Sequence, residues 1–130
     1  MSNYADIVLD HFHAPRNCQV MVAPDAIGVA GEPGHGNFMV LYLRVVGGRI
    51  SEASFQTHGC CPSIAAGSLL TERLVGSTLE EARAWTEPRI NEALGRLPMH
   101  KRHCSALAAA ALVKALGDEP KDCKIEKRGT

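Results

Sequence analysis

The sequence predicts an α+β domain, with helices packed on one face of a small antiparallel sheet, and three observations carry that prediction. Two β-favouring runs, Phe38 to Val46 and Ile50 to His58, are separated only by Gly47-Gly48 and Arg49, a hairpin signature. From Pro62 the apolar spacing turns helical, through Ala66, Leu69, Leu70 and Leu74. Further on, Cys104, Leu107, Ala108, Ala111, Leu112 and Ala115 recur at i, i+3, i+4, i+7, i+8 and i+11, one apolar face of a last helix.

Taken in order, residues 2 to 12 form a short helix with Ile7, Val8 and Phe12 as its apolar stripe. Ala14-Pro15-Arg16-Asn17 ends it, because the residue before a proline is pushed out of the α region. Residues 18 to 36 are rich in Gly and Pro, with one short strand near Ala26 to Val29. Phe38 to Val46 is apolar on both faces except at Arg44, so this strand is central or covered on both sides. In the next strand Ala53 and Phe55 face one way, and Glu52, Ser54 and Gln56 the other.

The helix from Pro62 to Val75 opens on a residue suited to a first turn, where a missing N–H costs nothing. Ser77-Thr78 with Glu80-Glu81 is a capping-box pattern, opening a helix to about Trp85. Pro88 starts another to about Leu94. The last helix runs from Ser105 to Leu116 and is closed by Gly117. Residues 1–118 make one domain, and the charged stretch 119–130 is a frayed tail in which Cys123 is incidental.

At 130 residues the chain can bury a core without staples. Lys plus Arg equals Asp plus Glu at 14 each, so no basic stripe recruits nucleic acid or anionic lipid. Aromatic content of 5% also argues against a base-stacking surface. No apolar stretch approaches the ~20 residues of a membrane span, and the Met-Ser-Asn-Tyr start has no signal-peptide pattern. A cytoplasmic setting follows as the expectation. There the five cysteines stay reduced, as metal ligands, nucleophiles or small buried hydrophobes.

Chemistry-bearing residues fall at element ends. His35, in "GEPGHGNFM", precedes the first long strand; Cys60 and Cys61 follow the second and open a helix; His103 and Cys104 open the last one. In an antiparallel hairpin the start of one strand lies beside the end of the next, which brings His35 toward Cys60. Helix N-termini favour thiolate over thiol, so the cysteines there are accessible metal ligands or sulfur nucleophiles. Two Cys with two His complete a tetrahedral zinc set, and imidazole serves iron as well. Each residue alone also has a plainer reading. His35 fits an exposed loop, and Cys61 or Cys104 fits a buried helix start. His11 and His13 flank a helix end as surface groups, His58 and His100 have no independent case, and Cys18 has no partner.

Together these stretches resemble the IscU/NifU-type iron–sulfur cluster scaffold family. "YADIVLDHFHAPRN" is similar to its opening pattern, through Tyr4, Val8, Asp10, His11, Phe12, Pro15, Arg16 and Asn17. "GEPGHGNFM" resembles a segment Gly-x-Pro-x-Cys-Gly-Asp-x-Met, and "THGCCPSIAAGSLLTE" a Gly-Cys-x-x-x-Ile-Ala helix start. "LPMHKRHCSALAAAAL" resembles Leu-Pro-Pro-x-Lys-x-His-Cys-Ser leading into the last helix. The resemblance spans about residues 4 to 116 and implies a three-stranded antiparallel sheet with helices on one face.

It also implies a site. The family's three Cys ligands fall on His35, Cys60 and Cys104, its adjacent His on His103 and its carboxylate on Asn37. His35 in place of thiolate removes a negative charge from a bound cluster and raises its potential. Asn37 cannot ionise, so it cannot act as a labile carboxylate ligand. Lesser departures are Gln19 and Cys61, each for a Gly, and "LPMHK" for the chaperone-recognition segment Leu-Pro-Pro-Val-Lys, which puts chaperone interaction in doubt.

The implied function is a scaffold or carrier, not an enzyme. It binds a [2Fe–2S] cluster or metal ion through His35, Cys60, His103 and Cys104, with Asn37 or Cys61 as further candidates. Sulfur comes from a cysteine desulfurase to Cys104, and recipient apo iron–sulfur proteins take the product. Two alternatives stay open: a Zn²⁺-binding sulfurtransferase that accepts persulfide, and a divergent non-assembling metal-binding or regulatory module.

Overall fold

The computed structural model describes residues 5–31, 36–59 and 61–117, and of Cys61 and His100 the backbone alone. The chain runs α1 (Asp6–His13), β1 (Ala26–Gly31), β2 (Phe38–Val46), β3 (Arg49–His58), α2 (Cys61–Leu74), α3 (Leu79–Arg83), α4 (Glu87–Ala93), a 3-10 turn (Met99–Lys101) and α5 (His103–Leu116). The tail, with Cys123, lies outside the described residues, as do His35 and Cys60. No described helix is long and apolar enough to cross a membrane.

The strands form one antiparallel sheet in the order β1-β2-β3. Leu41 pairs with Gly28 and Phe55, and Leu43 with Ala26 and Ala53, so one face presents Met39, Leu41, Leu43, Ala53 and Phe55 to the helices. Leu69 and Leu70 of α2 and Ala108, Ala111 and Leu112 of α5 complete this core. Two glycines set how closely the helices sit. A Cβ at Gly67 would stand 2.5 Å from the Phe55 ring, and one at Gly28 would stand 2.0 Å from the Ala111 carbonyl oxygen. α5 therefore lies almost backbone-on-backbone against β1, which its small alanines permit.

The hairpin turns through Gly47 and Gly48 at φ 59° and 79°, the left-handed pair a tight hairpin needs. β1 runs two residues past Val29, pairing with β2 as far as Phe38. β2 is central, but its second face is only partly covered. Val40 is half-buried there, and Ile27 and Val29 are 51% and 39% exposed. At the other end of that face the chain after α1 crosses the sheet. It leaves β3's edge, where Phe55 N donates to Asn17 O at 2.9 Å, and reaches β2, where Asp25 N donates to Leu43 O at 2.8 Å. Arg44 holds this strap by donating to the carbonyls of Val22 and Ala23, at 2.8 and 3.1 Å. Ser54 faces away from Ala53 and Phe55, as alternation predicts, and is buried there beneath the strap.

α1 begins at Asp6, after an extended Ala5, and turns Val8 and His11 inward while Ile7 and Phe12 are half-buried. His11 is thus a buried group, correcting the surface placement; His13 is exposed as expected. Burial is tolerable because Ser68 on α2 meets His11 Nδ1 at 2.7 Å. Burial chiefly, and the Arg16 charge next, hold the His11 pKa below the ordinary value.

The capping box forms with both bonds, Glu81 N to Thr78 Oγ1 at 3.0 Å and Thr78 N to Glu81 Oε1 at 2.9 Å. α3 stops at Arg83, leaving Trp85 in the turn with the Arg89 guanidinium 4.0 Å from its ring centroid. α5 starts at His103, two residues before the predicted Ser105, because the 3-10 turn after Pro98 leads directly into it.

Candidate metal centre

The start of β2, the end of β3 and the N-termini of α2 and α5 meet at one edge of the molecule. Phe38 pairs with His58 across the hairpin, and their rings stack with centroids 6.0 Å apart. This register sets Asn37 and Gly59 side by side. A Cβ at Gly59 would lie 3.2 Å from Asn37 Cγ and 2.8 Å from Ser63 Oγ, so glycine leaves room for both polar groups.

His103 and Cys104 are the first two residues of α5, and consecutive helical residues point about 100° apart. His103 is exposed, while Cys104 is fully buried toward α2. Ser63, in the first turn of α2, donates its hydroxyl to Cys104 Sγ at 3.3 Å. Asn37 Nδ2 lies 3.3 Å from His103 Nε2, and the amide donates there when the ring carries its proton on Nδ1. Ser63 and Cys104 thus face each other from the first turns of two 14-residue helices.

His103 Nε2 and Cys104 Sγ are 3.6 Å apart. Metal–nitrogen and metal–sulfur bonds of about 2.0–2.1 and 2.3 Å, at a tetrahedral angle, place the two donors ~3.5 Å apart. The pair's separation is that of a sulfur–nitrogen hydrogen bond and equally that of two ligands on one tetrahedral ion, so these two side chains could supply two of an ion's donors.

Of the expected site residues, the structure brings together His103, Cys104 and Asn37. His35 and Cys60 lie outside the described residues, and Cys61 is placed only as the first residue of α2. Among the described residues no three His, Cys, Asp or Glu converge. The burial of Cys104 corrects the expectation of an accessible thiolate at that helix start. Ser63 was not anticipated. Its signal was a small hydroxyl residue in the first turn of a helix that opens beside a cysteine pair.

The NifU-like N-terminal domain model matches residues 3–124 of the chain. The chain is 45% identical over 125 residues to the iron-sulfur cluster assembly scaffold protein IscU 1 of Archaeoglobus fulgidus, covering 95% of this chain and 82% of that protein. It is 40% identical over 119 residues to the IscU scaffold protein of Escherichia coli K12, covering 88% and 92%. Among solved structures it is similar to a putative SUF-system scaffold from Fervidobacterium islandicum AW-1, with TM-score 0.71 and 20% identity over 88% of this chain and 96% of that one. A NifU-like N-terminal protein from Brucella abortus gives TM-score 0.69 and 16% identity over 86% and 90%. These two structures bear on the fold alone.

Proposed function

We propose a function from one premise, that this chain belongs to the NifU-like N-terminal domain family: it is an iron–sulfur cluster assembly scaffold. The observation that carries the reading is the His103–Cys104 pair, at metal-ligand separation where two helix N-termini meet. In its finer form, a [2Fe–2S] cluster is the cargo, held by His35, Cys60 and Cys104 with His103 beside them. An imidazole ligand donates less charge than a thiolate, so the cluster sits at a higher potential than an all-thiolate one.

The scaffold takes sulfur from a cysteine desulfurase and passes the cluster to apo iron–sulfur proteins, in a compartment that keeps thiols reduced. Sulfur acceptance at Cys104 is an exchange. The thiolate attacks the outer sulfur of the donor's persulfide, a new S–S bond forms on Cys104, and the donor leaves as thiolate. Because Cys104 is buried, its contact with Ser63 must open first. Cys104→Ser should therefore abolish labelled-sulfur uptake from a desulfurase.

Anaerobic reconstitution with iron and sulfide should give a coloured species with equal iron and sulfide, and His35→Cys should shift its spectrum toward all-thiolate features. A colourless product without bound iron would refute the reading. The tetrahedral N–S separation supports a second reading, a zinc-holding sulfurtransferase, for which protein from cells would contain about one zinc per chain.

A further inference from the structure

We propose that Ser63 is a positioning residue for the metal-binding sulfur, its hydroxyl weakening Cys104 Sγ as an electron donor to a bound metal. The inference rests on the metal-site reading above. Ser63 Oγ donates to Cys104 Sγ at 3.3 Å, and both residues are fully buried, so no water competes for the bond.

The position of Ser63 in α2 explains where its proton goes. A hydroxyl inside a helix usually bonds back to the carbonyl four residues earlier, as Thr71 does to Gly67 O at 2.8 Å in the same helix. Ser63 stands in the first turn, where the residue four back is Gly59, beyond the helix start. Its hydroxyl reaches across to α5 at Cys104 Sγ. Gly59 keeps that path open, since a Cβ there would come within 2.8 Å of Ser63 Oγ.

A hydrogen bond to a ligating sulfur draws charge from it, tuning the metal from outside its ligands. The sulfur then gives less to iron or zinc, and the reduced state of a cluster is relatively favoured. This acts in the same direction as an imidazole ligand.

Cobalt(II) alone serves as the probe, because it takes tetrahedral zinc-type sites and shows a thiolate-to-metal charge-transfer absorption. Ser63→Ala should move that band to longer wavelength, since a sulfur relieved of its hydrogen bond gives up an electron more easily. Ser105→Ala is the control. Ser105 follows Cys104 and is equally buried, yet its hydroxyl has no hydrogen-bond partner among the described residues. Removing it should leave the band in place. An unmoved band in Ser63→Ala, or an equal movement in both variants, overturns the role of Ser63 and leaves the metal site standing. A wild-type protein with no thiolate–cobalt band overturns the metal site and this inference together.

Discussion

His11 Nδ1 and Arg16 N both approach Ser68 Oγ, at 2.7 and 2.8 Å. Arg16 N donates to the hydroxyl, and burial keeps the His11 ring neutral, with Nε2 3.6 Å from Glu72. The folded-state pKa is lowered, mainly by burial and next by Arg16, while an unfolded histidine titrates near ~6.5. Below that pH the unfolded chain binds more protons. Stability is therefore complete above about 6.5 and is lost as pH falls toward the lowered folded value. Urea midpoints should drop between pH 7 and 5, and His11→Asn should flatten that dependence; parallel curves would contradict it. At the proposed site, Asn37 cannot supply a carboxylate, so Asn37→Asp should speed cluster transfer to an apo acceptor several-fold, followed by circular dichroism. Equal rates would remove Asn37 from cluster retention. The placement of His103 and Cys104 at a helix start was legible from local pattern, whereas Asn37 came from the family resemblance alone. The burial of His11 and the hydroxyl of Ser63 were not, since each depends on a partner more than 40 residues away.

Among elements, the contact of α5 with β1 is the most exacting. A methyl at Gly28 would meet the Ala111 carbonyl at 2.0 Å and the Ala115 nitrogen at 2.4 Å, and neither backbone atom can rotate aside. Gly28→Ala should thus cost at or above the top of the ~1–3 kcal/mol typical of overpacking, measured by denaturant unfolding. A loss within the ordinary scatter of surface substitutions would mean that α5 can lift from β1 freely. Nothing in the sequence marks this glycine, because the requirement comes from Ala111 and Ala115, more than 80 residues later. The elements whose physics is local were legible. The Gly47-Gly48 hairpin, the Thr78–Glu81 capping box and the proline-led α4 formed where their own residues predict. For Ser54 alternation gave the face but not its burial. Alternation assigns a side chain to a face, but the strap held by Arg44 decides whether that face is wet.

For the molecule as a whole, the proposed site is a property of the tertiary fold. Asn37, Ser63 and the His103–Cys104 pair come from β2's entrance, α2 and α5, and an unfolded chain would hold them far apart. An ion bound there stabilises the native state by about RT ln(1 + [M]/Kd), or ~2.7 kcal/mol at a hundredfold excess over Kd. For a chain of this length, that amounts to a rise in Tm on the order of 10 °C. Thermal unfolding with zinc, beside protein stripped by a chelator, should show this rise. Cys104→Ser should lose most of it, because the hydroxyl is a poor replacement for thiolate at a tetrahedral site. The buried position of Cys104 gives this comparison its force. An exposed histidine could bind zinc without engaging the fold, but Sγ lies in the core that α5 shares with α2 and the sheet. If zinc raises Tm equally in wild type and Cys104→Ser, the ion is held by surface groups and the proposed centre is not its site.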